Sequence, residues 1–368
     1  MKICLVANPN SAHTRRLAEG LIERRHQVYL ICQSVPKSPL PAGVQVIELA
    51  KRFNIPKLRY LAWSLIMPGM VKQIKPDILH AISASGAAWL AAAALFRPLV
   101  VTATGSDLLL LRQRSWLHNQ LTYFALHQAD RVLCLSSQLA QVARDLGISK
   151  DRIEVNFFGI DLRTFSPSDR VDSGNQEDQT ESVRVLSLRA MKRIYNPADI
   201  ARAVPLVLQK APQVHFLIMT YNADPLVQAE FEAIIVNSGA SHAVEYLPPL
   251  SSDEAIAGVL RQSDIAVSVA ASDGTPVSVL ESMACGCALV LGEIPALKEW
   301  AIPEQNSLLV PLGSTELLSQ AIVRLIVDVP LRRRLAVSAL ETVREKGGRE
   351  SQFDQLEEIY QNLIMVQV

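Results

Sequence analysis

Two carboxylates separated by seven residues, Asp273 and Glu281, stand in the stretch SDGTPVSVLESMACGCALV. Upstream, SDIAVSVA reads as a buried strand ending at Ala270. The spacing then predicts a helix from about Val277 to Cys285, with Gly286 ending it. Pro276 falls near the first turn, where a missing N–H has no helical partner to lose. A corner of this kind leaves the N–H groups of Gly274, Thr275 and Val277 outside the helical ladder and adds the positive helix end. That combination binds anions, and a diphosphate suits it. Carboxylates touching phosphates would repel them, so Asp273 and Glu281 are better placed to accept hydrogen bonds from sugar hydroxyls on either side. The plainer reading makes Asp273 a helix cap and Glu281 a solvated helix residue. Against it, Glu281 lies among apolar and small neighbours, where a free carboxylate is costly.

A scaffold must hold such a corner. The chain has 368 residues, which at roughly 100–200 per domain means two domains or three. Apolar residues are 49% and charged ones 20%, a balance that excludes wholesale disorder. Lys plus Arg and Asp plus Glu number 36 each, so no net field draws nucleic acid, and any basic surface is local. The five cysteines are few, odd in number and set in apolar runs, which suits reduced thiols in a cytoplasm. Cys285 and Cys287 match neither zinc nor thioredoxin-like spacing and read as small buried residues. Met1-Lys2 leads at once into ICLVA and the polar turn NPNS, too short for a secretory signal core. The uncharged stretch 78–96 is only weakly apolar and reads as strand, turn and helix rather than a membrane span.

Apolar strand-like runs at 2–8, 27–32, 44–49, 77–82, 98–104, 131–137 and 152–158 alternate with helical patterns such as 14–25. The run 166–182, SPSDRVDSGNQEDQTES, has one aliphatic side chain, Val171, and reads as an inter-domain linker or a long exposed loop. The alternation restarts at 183–189 and continues at 214–220, 243–248, 264–270 and 288–293, with a charged helical tail from Leu331. Near-continuous apolar strands between helices mean parallel sheets covered on both faces. The expected fold is α/β: two Rossmann-like, doubly wound domains facing across a cleft. They span 1–165 and 183–345, with 166–182 as linker. A C-terminal helix over 346–368 has the first domain as a surface to pack back on. Ligands in such sheets sit beyond the carboxyl ends of the strands.

At this point the residues resemble a family. SDGTPVSVLESMACGCALV is similar to the donor-binding signature of the family-4 retaining glycosyltransferases (glycosyl transferases group 1), which have the GT-B fold. Asp273 takes the place of the usual first Glu, and Glu281 matches the second. The resemblance implies that Asp273 and the backbone of Gly274, Thr275 and Pro276, with Val277, hold the donor sugar and phosphates, and that Glu281 grips the nucleotide ribose. VRVLSLRAMKRIYNPADIARAV (183–204) resembles the family's strand followed by an Arg and a Lys that neutralise the leaving diphosphate. Arg189 matches the Arg. Ile194 or Tyr195 stands at the usual Lys position, so either Lys192 or Arg193 substitutes or the second charge is missing. The chain has no Asp-x-Asp pair, which leaves electrostatic stabilisation by Arg189, Lys192 and a helix end. NPNSAHTRRLAEGLIERRHQVYLI resembles the family's first loop and helix, with Asn8-Pro9-Asn10-Ser11 in place of glycines and Ser11 as a donor-side contact. PLVVTATGSDLLL (98–110) resembles the strand ending in His-Gly-x-Asp; Thr104 replaces the His, which in the family contacts the donor sugar near the reacting carbon. Gly105, Ser106 and Asp107 match, and Asp107 either orients hydroxyls or caps the following helix. VNFFGIDLRTF (155–165) resembles a structural stretch before the family's linker.

His80, at a strand end, reads as a satisfied structural histidine, with a cleft-facing role as the alternative. His118 and His127 are poorly spaced for a shared metal. The segment 51–75 has six Lys or Arg, no acid, and interleaved Phe53, Tyr60, Trp63 and leucines. It is either a basic amphipathic contact for an anionic membrane surface or an ordinary helix with a basic outer face.

The expected activity is that of a cytoplasmic, metal-independent retaining hexosyltransferase without a cofactor. A nucleotide-sugar donor would bind the second domain and a glycan, lipid-linked or small hydroxyl acceptor the first, with closure about the linker excluding water. Two other readings share the pocket: a non-catalytic sugar-nucleotide-binding protein, and a GT-B sugar-nucleotide epimerase.

Overall fold

The computed structural model describes residues 1–49, 56–168, 182–187, 189–250 and 252–366. Most of the polar run at 166–182 and the start of the basic segment at 51–75 lie outside the described residues.

The first half of the chain forms β1 (Lys2–Val6), α1 (Ala12–Glu23), β2 (Gln27–Cys32), β3 (Gln45–Glu48), α2 (Pro56–Ile74), β4 (Ile78–Ile82), α3 (Gly86–Ala93), β5 (Leu99–Ala103), the one-turn α4 (Ser106–Leu109), α5 (Trp116–Gln128), β6 (Arg131–Cys134), α6 (Ser137–Asp145) and β7 (Ile153–Val155). The second half forms β8 (Arg184–Ser187), α7 (Pro197–Leu208), β9 (His215–Met219), α8 (Pro225–Asn237), β10 (Val244–Leu247), α9 (Asp253–Arg261), β11 (Ile265–Ser268), α10 (Val277–Ala284), β12 (Ala288–Gly292), β13 (Leu308–Val310), α11 (Thr315–Val327), α12 (Val329–Lys346) and α13 (Arg349–Met365). The short β13, three residues after a polar turn, carries too little pattern to be read in advance.

The strands make two sheets, ordered β3-β2-β1-β4-β5-β6-β7 and β10-β9-β8-β11-β12-β13, with the ladders parallel. Central strands such as β4, β5, β11 and β12 are buried along their whole length, which is why they read as unbroken apolar runs. The edge strands β3 and β10 are largely exposed. In both sheets the winding reverses at the middle, between β1 and β4 and between β8 and β11. Loops leaving adjacent strands there run to opposite faces and open a crevice at the carboxyl ends.

Two compact units result: Met1–Gly159 with Glu350–Val368, and Ile160–Arg349. The boundary thus precedes the expected 165. Ile160 is bound to the α12–α13 turn, its N–H donating to Gly347 O (2.8 Å) and its carbonyl accepting from Arg349 N (2.9 Å). The Arg261 guanidinium donates to Thr164 O (2.6 Å) and Ser166 O (3.2 Å), which ties 160–166 to the second sheet's helices.

Helix α13 packs on the first sheet's helices. Phe353 occupies the space above Gly20, where an added Cβ would come within 2.2 Å of its ring, so α1 needs glycine at that contact. Arg24 donates to Asp354 (2.7 Å) and Glu357 (2.8 Å). All five cysteines are buried free thiols. Among the described residues no helix is long and apolar enough to cross a membrane.

Candidate active site

The second unit places its chemistry at the β8/β11 switch point. Strand β8 is followed by Arg189 and a 3₁₀ turn at Arg193–Tyr195; β11 is followed by the loop leading to α10. The two loops are stitched together by one backbone and one side-chain bond: Ala271 N donates to Ile194 O (2.8 Å), and Asn196 Nδ2 to Val269 O (3.0 Å). Asn196 holds φ +48°, a left-handed turn that asparagine tolerates better than most residues. Across this seam Arg189 Nη2 donates to Asp273 Oδ2 at 2.6 Å, and Nη1 to Ser278 Oγ at 2.9 Å. The guanidinium also lies 4.2 Å from the centroid of the Tyr195 ring.

The Arg189 and Asp273 side chains are 10% and 16% exposed. Burial pushes the Asp273 carboxyl above its ordinary range, while the guanidinium and the Gly274 amide pull the other way. Glu281, 4% exposed, lies in α10 one turn beyond Ser278. Burial raises the titration of the nearby Tyr221 hydroxyl; Arg189 lowers it, and Tyr195 and Glu281 add to the rise. Arg189, Asp273, Ser278 and Tyr195 are therefore one assembly, with Glu281 one turn along α10 and the Tyr221 hydroxyl within its electrostatic field. Tyr195 and Tyr221 carry little signal in the sequence, since a Tyr after a basic loop is unremarkable; Ser278 lies inside the signature itself.

Three expectations about this corner need correction. The Gly274 N–H is not bare: it donates to Asp273 Oδ1 at 2.8 Å. The Val277 N–H closes a tight turn onto Thr275 O, also at 2.8 Å. Pro276 has no N–H and serves through its carbonyl, which accepts from Val279 (2.8 Å) and Leu280 (3.1 Å) and starts the helix. Thr275 is buried beside it. Asp273, expected to face sugar hydroxyls, has both oxygens engaged by its own neighbours. Lys192 lies half-buried ahead of the 3₁₀ turn, its amide donating to Ala190 O at 2.7 Å.

The first unit departs further from expectation at Asp107. Its side chain is buried, 1% exposed, and accepts from four backbone amides: Ala84 (2.6 Å), Thr104 (3.0 Å), Gly105 (2.8 Å) and Leu108 (3.0 Å). It clasps the loops after β4 and β5 and has no lone pair left to orient a substrate. Thr104, at the end of β5, is positioned by this clasp. His80 is fully buried and satisfied by Tyr360 Oη (2.5 Å) and Thr102 Oγ1 (2.7 Å), a structural histidine. Ser11 precedes α1, its amide donating to Asn8 O at 3.1 Å and its side chain making no cap bond.

A cavity of about 430 Å³ opens at the β1/β4 switch point of this unit, walled by Asn8, Gln33, Ser83, Ser85 and, from α2, Arg59, Tyr60 and Trp63. Tyr60 Oη donates to Gln33 Oε1 at 2.8 Å, and its ring leaves room at Gly86 for no side chain at all. Among the described residues Arg59 is the wall's single formal charge. Ser11 does not line this cavity. Among the described residues no three His, Cys, Asp or Glu side chains group as a metal would require.

Comparison with known proteins agrees with this layout. The profile described as Glycosyl transferase 4-like matches residues 2–136, and that described as Glycosyl transferases group 1 matches residues 183–328, one on each sheet. The chain belongs to these group 1 glycosyltransferases, enzymes with the GT-B fold. It is 22% identical over 364 residues to N-acetyl-alpha-D-glucosaminyl L-malate synthase of Bacillus anthracis, covering 95% of this chain and 92% of that protein. The D-inositol 3-phosphate glycosyltransferase of Pseudarthrobacter chlorophenolicus is 25% identical over 178 residues, 48% of this chain and 42% of that relative's length. Sucrose-phosphate synthase from Thermosynechococcus elongatus superposes with a TM-score of 0.83 at 18% identity, over 100% of both chains. Anabaena HepE, solved with UDP and glucose, gives 0.80 at 16% identity, over 99% of this chain and 100% of that one.

Proposed function

We propose that this glycosyltransferase moves a hexose from a nucleoside diphosphate sugar to a hydroxyl acceptor, with retention at the anomeric carbon and without a metal ion. The observation that carries the reading is the joining of Arg189, Asp273 and Ser278 at the β8/β11 switch point, with Glu281 one turn further along α10. A donor seated there sets its diphosphate against Arg189 and Lys192, its sugar against Asp273 and the 274–277 corner, and its ribose hydroxyls against Glu281. The incoming diphosphate competes with Asp273 for the guanidinium. Displaced, the carboxylate is free to accept from a sugar hydroxyl.

In the transfer step the bond between the anomeric carbon and the diphosphate oxygen breaks, and its electron pair stays on that oxygen. Arg189 and Lys192 stabilise the charge. The acceptor oxygen bonds the anomeric carbon on the same face, and its proton passes to the departing phosphate oxygen. The acceptor is assigned to the cavity beside Arg59 and Trp63. UDP and UDP-glucose, bound by HepE, are the first donors to try. The malate and inositol phosphate acceptors in the names of the two relatives suit a wall whose one charge among the described residues is positive.

Thermal-shift screening against nucleotide sugars, then NMR of the product with and without EDTA, tests the reading. A retained anomer formed equally with chelator supports it. An inverted anomer or metal-dependent turnover refutes that part. Donor sugars interconverting without acceptor would make the protein an epimerase, and binding without turnover a non-catalytic binder.

A further inference from the structure

The 36 Lys or Arg and 36 Asp or Glu of the chain are not evenly spread. Residues 49–129 hold nine Lys or Arg and only two acids, Asp77 and Asp107. Asp107 is buried beneath backbone amides, Asp77 accepts from the Lys2 amide and Arg97 is paired with Asp130, so among the described residues Lys72, Lys75, Arg112 and Arg114 are the cations this stretch turns outward.

The same stretch exposes large apolar side chains that a folded unit would ordinarily cover. On α2, Trp63, Met67, Val71 and Ile74 face the core, while Leu58, Leu61 and Leu65, spaced for one helical stripe, face outward. Leu61 is 60% exposed and Leu65 75%. From α4 to the start of α5, Leu110, Leu111, Trp116 and Leu117 are exposed, Trp116 at 75%. The two groups belong to one layer of helices. Tyr60 of α2 lies 6.0 Å from Trp89 of α3, and Trp89 lies 5.3 Å from His118 of α5. The cations are interleaved with these side chains: Lys72 and Lys75 beyond the leucine stripe, Arg112 and Arg114 between Leu111 and Trp116. Arg112 hydrogen-bonds uncharged oxygens, Leu108 O (3.3 Å) and Asn119 Oδ1 (3.1 Å).

We propose that the α2–α5 face of the first unit docks on an anionic lipid bilayer. Leucines and a tryptophan enter the interfacial layer while arginines and lysines sit at headgroup level, the division of labour such surfaces require. Charge complementarity decides for an anionic bilayer over a second copy of this chain, because two copies meeting at this face would oppose like charges. The inference stands apart from the donor and acceptor assignments, since neither Arg189 nor the Arg59 cavity takes part.

The test is co-sedimentation of the full chain with vesicles of phosphatidylcholine alone or with a quarter phosphatidylglycerol, at low and high salt. The expected result is binding to the anionic vesicles only, falling tenfold or more in high salt. R112E/R114E together should lower the partition roughly tenfold. L61S/L65S and W116A should lower it severalfold at low salt, while R333E, on α12, leaves it unchanged. These residues are exposed, and circular dichroism checks that the variants stay folded. Three results would overturn the proposal: no sedimentation with anionic vesicles, binding indifferent to charge reversal and to Trp116, or self-association abolished by the same substitutions.

Discussion

Arg189 and Asp273 are 84 residues apart in sequence and hold each other at 2.6 Å, both largely buried. The cation expected to meet a diphosphate is thus already matched by the carboxylate expected to meet a sugar. An ion pair so placed keeps an otherwise costly buried charge tolerable until a ligand exchanges into it. Replacing Arg189 by Ala should lower nucleoside diphosphate affinity by about tenfold to a hundredfold in calorimetry, on the scale of a lost charge-assisted contact. Asp273→Asn should do the opposite for the free diphosphate, tightening it severalfold by releasing Arg189, while turnover of the sugar donor falls. Equal weakening in both variants would remove the exchange.

Glu281 makes a separate prediction. Its burial in α10 suits a carboxylate that accepts two hydroxyl hydrogen bonds when a nucleoside arrives. Glu281→Gln should weaken a nucleoside diphosphate about tenfold or more, yet leave binding of inorganic diphosphate alone unchanged. Loss of both would place the residue in the fold rather than at a ribose.

The signature around Asp273 and Glu281 made the corner legible because its types and spacing sit in nineteen contiguous residues. The parallel strands were legible because strands buried on both faces leave no polar alternation. Local partners were not legible. Nothing in DGTPV says that the Gly274 amide turns back onto Asp273, or that Asp107 gathers an amide from Ala84, which lies on a different loop. Such bonds depend on where separate loops meet at a switch point, and one-dimensional spacing does not encode that. The cavity beside Arg59 was missed for the same reason: its walls come from β1, β2, β4 and α2.

Asp107 should behave as a stability residue. Without its carboxylate, the Ala84 and Gly105 amides lose their acceptor in a buried place, a cost of about 2 kcal/mol or more at 1–3 kcal/mol for each unsatisfied group. Asp107→Ala should lower the thermal midpoint and release hydrogen-exchange protection at Ala84 and Gly105. An unchanged midpoint with lost turnover would return Asp107 to the catalytic set.

His80 fixes a pH dependence. Burial lowers its titration from the ordinary 6.5 to about 3, so the folded chain keeps the ring neutral where the unfolded chain takes a proton. The stabilisation is full above pH 6.5 and is lost as pH falls toward 3, reaching about 2 kcal/mol by pH 5. Urea denaturation at pH 7 and pH 5 should show this loss, and His80→Gln should flatten it. A variant as acid-sensitive as the native chain would shift the cause to other groups.

The cavity at the first switch point supplies a prediction that separates acceptor from donor. Among the described residues Arg59 is its one charged wall residue, and Tyr60 and Trp63 present aromatic faces beside it. An acceptor with a carboxylate or phosphate would gain a charge-assisted contact there, worth about 1.5–3 kcal/mol, or roughly ten- to a hundredfold in binding. Arg59→Ala should therefore raise the acceptor KM by that factor while leaving donor affinity at the native value, because Arg59 and the Arg189 assembly belong to different sheets. Arg59→Lys should recover part of the loss, since it keeps the charge without the planar fork. If the substitution raises KM equally for a neutral polyol acceptor, shape rather than charge governs the pocket. If it weakens the donor instead, the assignment of the two ligands to the two switch points fails.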